Sequence, residues 1–196
     1  MTKGPRILAF AGSLRRASIN KRVLKTAIRG AEAAGADVTY IDLRDYPMPV
    51  YDPDDYEAHG FDENALKLQG LLTQHEGLLI ASPEYNGSLP AALKNAIDWA
   101  SRPNDVYERS KVFRGKVAGV MTASPGSLGG VRSLVHLRGV LTSVGVHVLP
   151  QEVAVTFAED RFAGEGLEMT DEKMKGNLES LGAALVEMLK KMRRDD

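Results

Sequence analysis

Four short apolar runs and one run of β-branched and aromatic residues, each followed by residues that recur at helical spacing, leave this chain few ways to fold. The runs are Ile7–Ala11, Asp37–Asp42, Gly77–Ala81, Gly115–Ala123 and Val146–Val155. The stripes are Ile19, Val23, Ala27, Ala31 and Ala34; Leu66, Leu68, Leu71 and Leu72; Leu93, Ala96, Ile97 and Ala100; Val131, Leu134, Val135, Leu137, Leu141 and Val144; and Met174, Leu178, Leu181, Leu185, Met188 and Met192. Continuous apolar runs suit strands covered on both faces, and strands alternating with helices build a parallel sheet between two helical layers. Five strands favour the order 2-1-3-4-5, which predicts an α/β three-layer sandwich, with residues 1–196 forming a single domain. Pro150 places the last strand at an edge or a break. The stretch from Leu43 to Gly60, with Pro47, Pro49 and Pro53, reads as irregular. Its Asp52, Asp54 and Asp55 lack the glycine and terminal glutamate of a calcium loop and read as a solvated turn.

In that order a ligand binds at the carboxyl ends of strands one and three, where the winding reverses. The loop after the first run, Gly12-Ser13-Leu14-Arg15-Arg16-Ala17-Ser18-Ile19-Asn20, leads straight into a helix. A helix N-terminus offers unpaired N–H groups and the positive end of a dipole, which suits a phosphate. Ser13 and Ser18 add hydroxyls, Asn20 an amide N–H and Arg15 a planar pair of charged donors. A capped turn with solvated arginines accounts for the same residues without a ligand. Neither G-x-G-x-x-G nor G-x-x-x-x-G-K-[ST] is present, so a dinucleotide fold and a P-loop are not supported.

The loop after strand three, Ser82-Pro83-Glu84-Tyr85-Asn86-Gly87-Ser88, joins a φ-fixing proline to an Asn-Gly pair that tolerates positive φ. A tight turn of this kind presents N–H groups to a flat heterocycle, with Tyr85 beside the ring; a plain strand-to-helix turn has the same composition. The loop after strand four carries Ser124, Gly126, Gly129 and Gly130, which permit close backbone approach.

Composition removes other classes of function. With 25 Lys+Arg against 26 Asp+Glu, a net charge of −1 gives no bulk attraction for nucleic acid or a membrane surface. The chain contains no cysteine, which excludes disulfides, thiolate metal sites and cysteine nucleophiles. No apolar run approaches the roughly 18 residues of a membrane span, and a cytoplasmic location is expected. His59, His75, His136 and His147 are scattered and read as structural or solvated, and without G-x-S-x-G a serine hydrolase is disfavoured.

Three motifs in order, Gly12-Ser13-Leu14-Arg15-x-x-Ser18-x-Asn20, Pro83-Glu84-Tyr85-Asn86-Gly87-Ser88 running on to Leu93-Lys94-Asn95-Ala96-Ile97-Asp98-Trp99, and Ser124-x-Gly126-x-x-Gly129-Gly130-x-Arg132, resemble the NADPH-dependent FMN reductase family, which includes quinone, chromate and azo-dye reductases. The resemblance implies a flavodoxin-like fold that binds FMN without a covalent bond. By matching positions, Ser13, Arg15, Ser18 and Asn20 are expected at the phosphate, Pro83, Glu84, Tyr85, Asn86 and Gly87 along the ring, and Ser124 and Gly126 on its third side. It further implies hydride transfer from NADPH or NADH to the flavin, then electron delivery to a small acceptor such as a quinone, a flavin, an azo dye or a metal oxyanion. No side chain is required as acid or base. A homodimer or homotetramer is implied, with Arg132 and the proline-rich loop as interface candidates. Arg16, Arg102, Arg109 and Arg114 are available to a nucleotide 2′-phosphate. The rival readings are an FMN electron carrier of flavodoxin type and a non-redox phosphate-binding module.

Overall fold

The structure, a computed structural model, describes residues 4–164, 166 and 168–193, and only the backbone of Arg109 and Ser110. In chain order the elements are β1 (Arg6–Ala11), α1 (Ile19–Ala33), β2 (Asp37–Asp42), α2 (Pro53–His59), α3 (Glu63–Gln74), β3 (Gly77–Ala81), α4 (Ala91–Ala100), α5 (Arg109–Phe113), β4 (Val117–Ala123), α6 (Val131–Ser143), β5 (His147–Val155) and α7 (Glu172–Met192). Single 3-10 turns occupy Leu43–Asp45 and Ala158–Arg161. The strands form one parallel sheet in the order β2-β1-β3-β4-β5. That is the expected flavodoxin-like topology.

Residues of a strand point alternately to its two faces, and in β1, β3 and β4 both faces are buried. Ile7, Ala9 and Ala11 lie against Val23, Leu24 and Ala27 of α1 and Leu181 and Leu185 of α7. Leu8, Phe10, Leu78 and Ile80 lie against Leu68 and Leu72 of α3, Leu93 and Ile97 of α4, and Leu134 and Leu137 of α6. Each of the buried Val, Leu, Ile and Phe side chains among these stabilises the fold by about 1.5–3 kcal/mol. β5 is an edge strand, as Pro150 indicates, and its pairing with β4 shifts between Ala118 and Val120.

On the first face, α1 and α7 meet backbone to backbone. A methyl group on Gly182 would come within 2.1 Å of the Ala27 carbonyl oxygen, and one on Gly30 within 2.1 Å of that of Glu179. These two glycines let the helix that follows the first loop seat directly on α7.

The sequence expectations need four corrections. The stretch 43–60 is not wholly irregular, since Asp52 accepts from the N–H of Asp54 and Pro53 opens α2. Proline costs nothing in a first turn, where its missing N–H had no partner. Pro90, which the sequence places in the first turn of the helix after Ser88-Leu89, is the cap of α4, one place before that turn. Val135 is 63% exposed on the outer side of α6, and Met188 is 40% exposed while Val186 and Leu189 take its place in the core. The short helix α5 and the turn Ala158–Arg161 had no counterpart in the sequence reading.

Candidate functional site

The carboxyl ends of β1, β3 and β4 open into one cavity of about 760 Å3. Ser13, Arg15, Ser18 and Asn20 line it from the first loop, Pro83, Glu84 and Tyr85 from the second, and Ser124 from the third. Asn86, Gly87 and Gly126 stand outside this lining and shape its walls.

The start of α1 is left uncapped. Its first turn contains no acidic residue, and Ser18, at the N-cap, makes no side-chain capping bond. By contrast α2, α3 and α7 each begin with an aspartate, Asp52, Asp62 and Asp171, that accepts from first-turn amides. The amides of Ile19 and Asn20 have no intrahelical acceptor. Ser13 is buried, and its Oγ accepts from the N–H of Arg15 at 3.3 Å, which holds the loop folded. The Arg15 guanidinium is exposed and has no ion-pair partner among the described residues. Asn20 has a structural duty as well, because its Nδ2 donates to the Ala123 carbonyl and its Oδ1 accepts from the Ala123 N–H, each at 2.9 Å. It ties the first loop to the end of β4 and leaves one Nδ2 hydrogen for a ligand.

The second loop is a two-residue hairpin. Tyr85 and Ser88 exchange backbone bonds of 2.9 and 3.1 Å around Asn86 and Gly87, whose φ values are 52° and 80°. Two consecutive positive φ angles define the turn that Asn-Gly favours, so Asn86-Gly87 sets the shape. The N–H groups of both residues have no partner among the described residues. Tyr85 is 53% exposed at the rim, free to lie beside a flat ring.

Glu84 lines the cavity, but its carboxylate is engaged beneath it. Oε1 accepts from Arg132 Nε at 2.7 Å and Oε2 from the Arg132 N–H at 3.0 Å. It caps α6 and couples the second loop to the third. The guanidinium bond, together with the charge and amides there, holds its carboxyl below the usual carboxylate range. In the third loop, Ser124 Oγ accepts from the Gly126 N–H at 3.1 Å.

Other wall residues were not anticipated. Lys21 and Asp42 pair at 2.5 Å, Tyr40 carries Lys25 over its ring at 5.4 Å, and Glu159 and Gly164 come from the segment after β5. The topology rule points to the end of every strand, so the segment after β5 could have been suspected. None of the four histidines lines the cavity. His75 is buried, bonding the Leu71 carbonyl at 2.6 Å and Thr39 Oγ1 at 2.8 Å. Of the arginines considered for a 2′-phosphate, Arg16 lines the cavity. Arg102 lies over Tyr51 and donates to the Asp98 carbonyl, Arg114 lies at the opposite end of the sheet, and the Arg109 side chain is outside the described residues.

Comparison with known proteins agrees with this geometry. The sequence model of the NADPH-dependent FMN reductase family matches residues 5–160. The chain belongs to the NADPH-dependent FMN reductase family. It is 34% identical over 194 residues to an NAD(P)H-dependent FMN reductase of Pseudomonas aeruginosa, covering 98% of this chain and 100% of that one. It is 34% identical over 149 residues to a quinone reductase of Escherichia coli, covering 76% of each. Among solved structures, the flavoenzyme NAD(P)H:(acceptor) oxidoreductase FerB of Paracoccus denitrificans superposes with a TM-score of 0.80 at 29% identity, covering 95% of this chain and 98% of that one. The chain is accordingly a flavodoxin-like oxidoreductase that uses FMN and NAD(P)H.

Proposed function

We propose that the cavity seats FMN with its phosphate on the α1 N-terminus and its ring between the Asn86-Gly87 hairpin and the third loop, and that the enzyme delivers electrons to a quinone or a similar small acceptor. The observation that carries this reading is the uncapped start of α1, with buried Ser13 and Ser18 and the unpartnered Arg15 beside it. Four of the proposed ligands act directly: Ser13 and Ser18 by hydroxyl, Arg15 by charge, Asn20 by its remaining N–H. Glu84 and Gly126 fix the two loops that flank the ring. The unpartnered amides of Asn86 and Gly87 favour negative charge on a ring beside them. Tyr85 and Pro83 give that ring an apolar wall. When bound, FMN supplies the hydride acceptor and the two-electron relay. The protein provides position and electrostatics, consistent with a cavity that no histidine lines.

Quinone is favoured as acceptor by the quinone reductase relative, while flavins, azo dyes and metal oxyanions fit the same open cavity. Exposed Tyr85, Leu128 and Val135 around the second and third loops support a homodimer or homotetramer, and the domain is proposed to act in the cytoplasm as one unit. The test is an anaerobic absorbance titration of FMN-loaded protein. NADPH or NADH bleaches the flavin and a quinone restores its colour; a flavin that neither nucleotide bleaches would make the protein an electron carrier.

A further inference from the structure

The ridge formed by Arg15 and Arg16 has a second cavity on its far side, about 520 Å3 in volume. Leu14, Arg15 and Arg16 line it from the phosphate loop, Leu43, Arg44, Tyr46, Pro47 and Met48 from the segment after β2, and Ala92 and Asn95 from α4. Its volume is within the roughly 300–1,000 Å3 of small-molecule sites.

The chemistry of the lining is one-sided. Arginines contribute three side chains and carboxylates none. The guanidiniums of Arg16 and Arg44 are exposed and have no hydrogen-bond or ion-pair partner among the described residues, whereas Arg132, Arg138 and Arg161 are each paired with a carboxylate. Between the arginines lies an apolar floor that includes Leu14, itself 46% exposed, and the ring of Tyr46. A ligand that suits this lining has a flat apolar body and more than one phosphate.

The wall is held in place without a ligand. Asn95 Nδ2 and Trp99 Nε1 both donate to the Pro49 carbonyl at 2.8 Å, and Asn95 Oδ1 accepts from the Tyr51 N–H at 2.9 Å. Behind it Tyr51, Tyr56 and Phe61 meet the Trp99 ring edge to face at 5.1–6.2 Å. A preformed wall spares a ligand the cost of ordering a loop.

We propose that this cavity is the subsite for the 2′-phosphorylated adenosine end of NADPH, with Arg44 and Arg16 on the phosphates and Leu14, Tyr46 and Met48 against the base. The inference rests on the NAD(P)H reading of the adjoining cavity and adds a preference, NADPH over NADH, set by Arg44. Arg15, shared by both cavities, stays with FMN. Arg102 and Arg114 are removed from consideration by their places in the fold.

The experiment is calorimetric titration of the FMN-loaded protein with 2′,5′-ADP and with 5′-AMP, in the wild type, Arg44→Ala and Arg44→Lys. 2′,5′-ADP is expected to bind at least about tenfold more tightly than 5′-AMP, the size of one charge-assisted bond. Arg44→Ala erases most of that advantage and Arg44→Lys restores part of it. In parallel, the ratio of kcat/KM for NADPH to that for NADH falls about tenfold in Arg44→Ala. FMN uptake by each variant, read from its absorbance, reports that the fold is kept. Equal affinities for the two probes, or a 2′,5′-ADP affinity that Arg44→Ala leaves unchanged, would overturn the subsite. If both nucleotides still bleach the flavin in that case, the reductase reading stands alone; if neither does, both readings fall.

Discussion

Arg15 shows how one side chain divides binding from folding. Its guanidinium is exposed and has no partner among the described residues, so Arg15→Ala is expected to keep the melting temperature while weakening FMN roughly 10- to 100-fold, measured by quenching of flavin fluorescence. Lys116 has the opposite character. It is 8% exposed and donates to the His75 carbonyl, and burial lowers its pKa to about 8 from an ordinary 10.5. The unfolded chain therefore holds this proton more tightly than the folded one between those two values. Stability rises with pH across that window, and the cost of burying the charge is fully present below about pH 8. Urea unfolding from pH 7.5 to 10.5 is expected to show the gain, and Lys116→Met to flatten it. That Ser13, Arg15, Ser18 and Asn20 gather at the start of α1 was legible, because they are neighbours in sequence and precede a helical stripe. What Asn20 and Glu84 bond to was not legible, since their partners, Ala123 and Arg132, are brought near only by the fold.

At the scale of elements, the pairing of α1 with α7 turns on two glycines that sequence periodicity treats as blanks. Gly182→Ala drives a methyl group into the Ala27 carbonyl and is expected to cost about 2–3 kcal/mol. Calorimetry should then show a melting temperature lower by roughly 4–12 °C for a chain of this length. Gly176, in the same helix, has open space around it, so Gly176→Ala should instead stabilise by about 0.5–1 kcal/mol. The strands β1, β3 and β4 were legible because runs buried on both faces are continuous in sequence, and the edge strand β2 through its β-branched and aromatic residues. The helix α2 was not, because its apolar residues are few and Pro53, a starter after the Asp52 cap, reads equally well as a breaker. In α7 a regular four-and-three spacing placed Met188 inward, but a straight helix drifts against a seven-residue repeat, and the buried stripe moves to Leu189.

The whole molecule gathers its chemistry at one end of the sheet and leaves exposed apolar side chains there. Leu128 and Val135, 54% and 63% exposed, are expected to be covered by another copy of the chain. Light scattering should give a dimer or tetramer, and Val135→Asp should shift it toward monomer; a wild-type monomer at micromolar concentration would remove this reading. The sheet order and the place of the cavity were legible from strand count and alternation, through the rule that ligands sit where the winding reverses. The second cavity was not, because its arginines belong to loops separated in sequence and share a wall only after β1 and β2 pair.

The crossing of α1 on α7 also has a bearing on synthesis. Helix α7 follows all five strands, so α1 and the loop before it leave the ribosome early while their cover leaves late. The side of α1 that meets Gly182 and Glu179, at Ala27 and Gly30, stays wet until α7 emerges, while β1 already covers Leu24 from the sheet side. The sheet face that α1 and α7 cover together is thus completed only after every strand has been made.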